Sequence, residues 1–182
     1  MITQGALMNT GQICMSTERV IVQRSVAEAL SKAVKQQFAE LKAGGEGSPL
    51  GPLFTELSAE RVIGLIREAQ AAGAEVLVGD VKREGNIVHP HMVSKVTQDM
   101  RLWREETFGP GEHNVHIDYG CCTHRDIVIV FVEVDSIDEA VEKANDTEYT
   151  LAASLWTQSV HNAFQVAPRI RAGQWIDRFL LL

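Results

Sequence analysis

At 182 residues the chain is long enough for one domain with a real core and marginal for two. Its 17 Lys and Arg against 24 Asp and Glu leave a net charge of −7 with no basic run, which argues against a nucleic-acid binder. Hydrophobic residues at 45% and charged ones at 23% are ordinary globular usage, and no apolar run approaches the roughly 20 residues that cross a bilayer.

The start, Met1-Ile-Thr-Gln-Gly5, has neither the basic stretch nor the apolar core of a secretion signal. Three cysteines (Cys14, Cys121 and Cys122) make no even disulfide framework, so a reducing, cytoplasmic location is expected. Residues 18–24 are β-rich and predict a short strand. Ser25-Val-Ala-Glu28 fits a capping box, and behind it Leu30, Val34, Phe38 and Leu41 recur at helical spacing until Gly44-Gly45. Gly44 to Gly51, with Pro49 and Pro52 nearby, reads as a loop. A second helix is predicted from about Ser58 to Ala72, with Val62, Ile63, Leu65, Ile66 and Ala69 on one face and Gly73 as its cap.

Glu75–Val78 follows as a strand and Gly79–Asn86 as a turn, while Ile87–Val96, interrupted by Pro90, predicts an extended edge segment. Ile127–Val134 is a nearly continuous apolar β run, the pattern of a strand buried on both faces. Ser136-Ile-Asp-Glu139 is another capping box, opening a helix through Val141 and Ala144. Leu151–Thr157 predicts a strand, and Ser159–Arg171 a helix that Pro168 should bend. Strands alternating with helices make this an α/β domain with a largely parallel sheet flanked by helices, and no internal repeat or linker divides it.

The chemistry concentrates in Asn9-Thr-Gly-Gln-Ile-Cys-Met-Ser-Thr-Glu-Arg19. Cys14 follows a Gly-containing turn and precedes a strand, an exposed kind of junction where a thiol can meet a substrate. The same residue also reads as a buried apolar cysteine, and composition alone favours that. Gly45-Glu-Gly47 neither follows a strand nor opens a helix, so it fails as a dinucleotide fingerprint, and there is no Walker-type Gly-Lys-Ser/Thr. A thiol hydrolase pairing Cys14 with a histidine has only His89 and His91 near in sequence, on the predicted edge segment. Glu105-Glu106, taken alone, is a solvated acidic turn.

Gly11-Gln12-Ile13-Cys14 together with the downstream Glu105-Glu106-Thr107-Phe108-Gly109-Pro110 resembles the aldehyde dehydrogenase superfamily. The wording is closest to the branch that oxidises aromatic aldehydes such as vanillin, benzaldehyde or salicylaldehyde. The resemblance covers about residues 1–110 and 127–173 and implies a partial catalytic domain over 1–174. It implies that Cys14 is the nucleophile, attacking an aldehyde carbon to form a thiohemiacetal, with its own backbone N–H as one donor to the oxyanion. It implies NAD or NADP as cofactor, Glu106 bonding the nicotinamide ribose hydroxyls, and Phe108 packing beside that ribose. It also puts the family's nucleotide-binding domain, general-base Glu and oxyanion-hole Asn before the thirteen residues that precede Cys14. Half of an active site is therefore expected here, with little or no turnover from the chain alone. The implied partners are a small aldehyde and a second copy of the chain or a full-length family member, with no nucleic acid or membrane. A non-catalytic remnant that retains the fold and binds intact relatives is the alternative.

Two segments depart from the family pattern. Residues 111–126 intervene before the strand resumes at Ile127, and they hold His113, His116, Cys121, Cys122 and His124. Four such groups could surround a zinc ion, but vicinal cysteines chelate one ion poorly and the spacing matches no finger, so no metal site is assigned. Gly111-Glu112 can be written GGT-GAG, which contains a splice-donor-like sequence, so the segment reads as translated intron. After Gln174, a divergent tail (175–182) with Trp175, Ile176 and Phe179 forms an apolar end with no evident docking strand. Thr150 stands where the family usually has Gly, and a turn needing φ > 0 there would be strained.

Overall fold

The apolar run beginning at Ile127 becomes the middle of the sheet. A computed structural model of the chain describes residues 2–44, 47–107 and 127–179. It opens with α1 (Ile2–Leu7), β1 (Arg19–Gln23) and the long helix α2 (Arg24–Glu40). Then come α3 (Glu56–Ala71), β2 (Glu75–Val78), the short strands β3 (Arg83–Glu84) and β4 (Ile87–Val88), and β5 (His91–Ser94). The one-turn helix α4 (Arg101–Arg104), β6 (Val128–Val134) and α5 (Ile137–Asn145) follow, and β7 (Ala152–Thr157), α6 (Val160–Val166) and β8 (Gln174–Phe179) complete the order.

The main sheet runs β1-β6-β5-β2. β6 pairs parallel with β1 on one side and with β5 on the other, whereas β2 joins β5 antiparallel. Ile127 and Ile129 are fully buried, as an interior strand covered on both faces requires. Helices α2 and α3 supply Val34, Phe38, Leu65 and Ile66 to the same core, with 4% exposure or less each. A mainly parallel sheet flanked by helices is what the alternating pattern predicts.

Several local expectations are corrected. Pro90 lies between β4 and β5, where no ladder bond is needed, so β5 is an interior strand rather than an edge. Its first residue, His91, donates its N–H to the Ile127 carbonyl at 2.9 Å. Helix α2 begins at Arg24 straight from β1, with Gln23 as a cap that makes no side-chain bond, so the Ser25 capping box does not form. Helix α3 starts earlier than Ser58, on Thr55, whose hydroxyl accepts the Ser58 N–H at 3.0 Å. Ser136 and Ser159 do cap, accepting the Glu139 N–H at 3.1 Å and the Asn162 N–H at 3.2 Å. The last helix ends at Val166 and tightens into a 3₁₀ turn over Ala167–Arg169 at Pro168, rather than bending through to Arg171. Thr150 is not among the left-handed residues, and its carbonyl accepts the Gly173 N–H at 2.8 Å, so no strained turn exists there. The tail does find a strand: β8 pairs parallel with β7 from Ala152↔Gln174 to Thr157↔Phe179.

Candidate functional site: the Cys14 turn and the Glu105–Glu106 corner

Between α1 and β1 the chain makes two tight turns in succession. In the first, Asn9, Thr10 and Gly11 all take left-handed backbone angles, with φ of 52°, 60° and 73°. Glycine does so freely and asparagine at little cost, but a β-branched residue there stores about 1–3 kcal/mol. Thr10 is buried, and its hydroxyl donates to the Gly51 carbonyl at 3.3 Å. The Gln12 N–H closes this turn on the Asn9 carbonyl at 3.1 Å. In the second turn, the Ser16 N–H donates to the Ile13 carbonyl at 2.8 Å while the Ser16 hydroxyl accepts the Ile13 N–H at 3.3 Å.

Cys14 is the second residue of that second turn. It is a free thiol and half-buried, so the reading of a packed core cysteine does not hold. No described residue accepts its backbone N–H. The loop is closed at its base by the Thr17 N–H, which donates to the Gly5 carbonyl at 3.1 Å. A side chain at Gly5 would sit 2.8 Å from the Thr17 hydroxyl, which explains glycine at that crossing.

The Glu105–Glu106 corner follows α4, and its two carboxylates have different surroundings. Arg101 grips Glu105 from one turn earlier at 2.7 Å, and Arg61 of α3 reaches it at 2.9 Å. The hydrogen bond from Arg101 is the main reason that the Glu105 carboxyl titrates below its ordinary range. Arg101 also bridges to Glu68 at 3.0 Å, which fixes the corner against α3. Glu106 is half-buried and faces a shallow crevice shared with Glu18, Arg19, Trp103, Thr107 and Tyr149. Burial, followed by the charge of Glu106, raises the Tyr149 pKa. Both carboxylates line the crevice, but Glu105 is held by two arginines, a distinction the bare acidic pair does not reveal.

A stacked cluster joins this corner to the first strand. Arg19, the first residue of β1, lies 4.9 Å from the Trp103 ring centroid, a cation–π distance. Its Nη1 donates to the Asp146 carbonyl at 3.0 Å and the Lys143 carbonyl at 3.4 Å, where the C-terminus of α5 favours a cation. Burial lowers the Arg19 pKa, yet a guanidinium stays charged. The Trp103 Nε1–H donates to Asp146 Oδ2 at 2.6 Å, and the Lys143 ammonium lies 5.8 Å from the ring. The structure therefore brings Glu106 beside Glu18 and Arg19, four and five positions after Cys14, but Cys14 does not itself line that crevice. Phe108, the segment 111–126 with its histidines and cysteines, and residues 180–182 lie outside the described residues. Thr10, Arg19 and Trp103 carry no signal in residue spacing, because their roles depend on partners from 41 to 127 positions away. Among the described residues no group of three or more metal-ligating side chains gathers, and no helix is long and apolar enough to cross a membrane.

A half-buried thiol on a tight turn thus leads from the first helix into a mainly parallel α/β sheet. The aldehyde dehydrogenase family model matches residues 1–177, and the chain belongs to that family. It is 36% identical over 172 residues to a vanillin dehydrogenase of Pseudomonas sp., covering 93% of this chain and 32% of that protein. It is 35% identical over 174 residues to an NADP-dependent glyceraldehyde-3-phosphate dehydrogenase of Streptococcus equinus, covering 94% of this chain and 33% of that protein. Among solved structures, an NAD-dependent benzaldehyde dehydrogenase of Corynebacterium glutamicum superimposes with a TM-score of 0.80 at 31% identity, over 98% of this chain and 36% of that one. The NADP complex of a glyceraldehyde-3-phosphate dehydrogenase from Bacillus halodurans gives 0.82 at 30% identity, over 97% and 34%. The chain spans about a third of the length of these relatives.

Proposed function

We propose that this chain carries the nucleophile half of an NAD(P)-dependent aldehyde oxidation, with Cys14 as the attacking thiol. The observation that supports this most directly is a half-buried free thiol on a doubly hydrogen-bonded turn, with its own N–H left untaken by any described residue. Sγ, as thiolate, bonds to the aldehyde carbon, and the carbonyl π pair moves onto oxygen. The Cys14 N–H donates to that oxyanion, a kind of contact worth about 10²–10³ in rate. When bound, NAD(P)⁺ supplies the acceptor for the hydride that leaves the thiohemiacetal carbon. The resulting thioester then takes water at its carbonyl carbon, the C–S bond breaks, a carboxylic acid departs and the thiol returns.

Glu106 and Phe108 are the cofactor-side residues of this reading. A carboxylate with two acceptor oxygens suits a pair of ribose hydroxyls. Both glutamates line the crevice, and because two arginines engage the Glu105 carboxylate, Glu106 is assigned that role. An aromatic aldehyde is the favoured substrate class, from the motif wording and the vanillin- and benzaldehyde-oxidising relatives. A cytoplasmic site of action accompanies this reading.

Aldehyde-dependent formation of reduced nicotinamide, with benzaldehyde or vanillin, by this chain joined to the nucleotide-binding domain of a full-length relative tests it. Turnover that vanishes in Cys14→Ala supports the assignment, and turnover that survives refutes it. The 182 residues alone are expected to give little or none. Hydride transfer needs its partners held about 3–3.5 Å apart, and Glu106 and Phe108 meet only one end of such a ligand. Cys14-dependent turnover by this chain alone would overturn the half-site reading. A second reading, a folded remnant that associates with intact relatives, draws on exposed apolar side chains: Trp156, Val160 and Phe164 are 40%, 51% and 73% exposed. Co-elution with a full-length family member on size exclusion would favour it.

A further inference from the structure

The strained turn ahead of Cys14 has no part in the reaction steps above, yet it is held with care. Thr10 keeps φ 60°, ψ 36° while almost entirely buried, and its hydroxyl is seated on the Gly51 carbonyl at 3.3 Å. That anchor is itself fixed. Ala43 bridges Leu50, and the Gly44 N–H donates to the Leu50 carbonyl at 3.0 Å, so residues 50–51 cannot drift from the core. Leu50 is buried at 4%.

Downstream, the left-handed turn passes its orientation straight to the nucleophile. Asn9 is bonded to Gln12 twice, through its carbonyl at 3.1 Å and its side-chain Nδ2 at 3.3 Å. Gln12 precedes Ile13, the first residue of the turn that bears Cys14, and the Thr17–Gly5 bond closes the far side. The Cys14 peptide therefore hangs between two fixed ends, and only the Thr10 end depends on a side chain in an unfavourable conformation.

We propose that Thr10 is a positioning residue for the nucleophile: its hydroxyl, seated on the Gly51 carbonyl, holds the left-handed turn that aims the Cys14 backbone N–H at the oxygen of a carbonyl attacked by Sγ. This rests on the reading of Cys14 as nucleophile. It makes a prediction that ordinary structural support does not. Reactions passing through an oxyanion should depend on Thr10, and reactions of the thiol that form none should not.

Two probes separate these on the chain with Cys121→Ser and Cys122→Ser, which leaves Cys14 as its one thiol. p-Nitrophenyl acetate is attacked at its acyl carbon, a C–S bond forms through a tetrahedral oxyanion, and p-nitrophenolate leaves. Iodoacetamide is displaced at carbon with loss of iodide, and no oxyanion forms. In Thr10→Val, acylation of Cys14 should fall roughly tenfold, less than the 10²–10³ for deleting an oxyanion donor, because the N–H is misaimed rather than removed. Alkylation should stay within about twofold, since it follows the thiolate alone. Thr10→Ser retains the hydroxyl and should acylate like the parent. Thr10→Gly should do the same, because glycine adopts the left-handed turn unaided. Circular dichroism confirms that each variant is folded. Parallel changes in both probes, a Thr10→Val variant that acylates normally, or failure of Thr10→Ser to rescue would each overturn the proposal while leaving Cys14 as nucleophile. No acylation of Cys14 in the parent would instead overturn the nucleophile reading, and this proposal with it.

Discussion

Gly79 and Gly73 form a matched pair that tests how tightly the β2–β5 side of the sheet is built. Both take backbone angles that side chains resist, with φ of +110° and +105°. Around Gly73 nothing lies within 4 Å of an added Cβ. At Gly79 that atom would fall 2.1 Å from His91 Cδ2 and 2.6 Å from both Cγ and Nε2. The imidazole cannot step aside. It is fully buried, its Nε2 accepts the Val81 N–H at 3.0 Å, and its own backbone is bonded to Ile127. Gly73→Ala should therefore cost only the backbone strain, about 1–2 kcal/mol. Gly79→Ala adds overpacking of about 1–3 kcal/mol and loss of the Val81–His91 bond at about 1 kcal/mol, for a total of about 3–6 kcal/mol. For a chain of this size, at about 2–4 °C per kcal/mol, thermal melts should shift by roughly 2–8 °C and roughly 6–24 °C respectively. Equal shifts in the two variants would show that His91 yields, and would refute the claim that it is locked in place.

The same histidine predicts a pH dependence. Burial depresses its pKa, so the folded chain keeps it neutral while the unfolded chain protonates below about 6.5. The unfolded state then binds more protons, so stability should fall as pH drops below that value, by at most about 1.4 kcal/mol per unit until the folded value is reached. Urea midpoints at neutral and mildly acidic pH read this, and His91→Gln should flatten the slope; an unchanged slope would count against it. Trp103→Phe removes the hydrogen bond to Asp146, a bond to a charged partner worth about 1.5–3 kcal/mol, with the low end expected because Asp146 is half-exposed. A melt within error of the parent would show that the stack on Arg19 alone holds that corner.

The periodic parts of this fold were legible from residues alone, and the parts set by distant partners were not. Helix α3 announces itself through Val62, Ile63, Leu65 and Ile66, and all four are buried at 3% or less. Gly73 caps it as expected, its N–H meeting the Gln70 carbonyl at 3.1 Å while the Ala74 N–H meets that of Ala69 at 2.9 Å. The continuous apolar run of β6 correctly implies burial on both faces. Pro90 misleads because its ring breaks a run in sequence without breaking a ladder in space. Ser25 misleads because the helix runs straight on from β1, which puts the cap two residues earlier, at Gln23. At the site, Cys14 and Glu106 are visible only through the words around them. Thr10 is hidden because its residue type argues against the backbone it adopts, and what overrides that preference is a carbonyl 41 positions away.

The position of β6 between β1 and β5 has a consequence for biosynthesis. β1 has no strand to lie against until β6 has been made, since Arg19 pairs with Val130 and Gln23 with Val134. At roughly 5–20 residues per second, the intervening stretch of about 110 residues takes roughly 6–22 s to translate. Throughout that interval the ribosome-bound nascent chain carries Val20, Ile21 and Val22 as an unmatched apolar ribbon close to Cys14. A chaperone that engages emerging segments would find a target there, and β1 is among the last of these strands to be locked into the finished sheet.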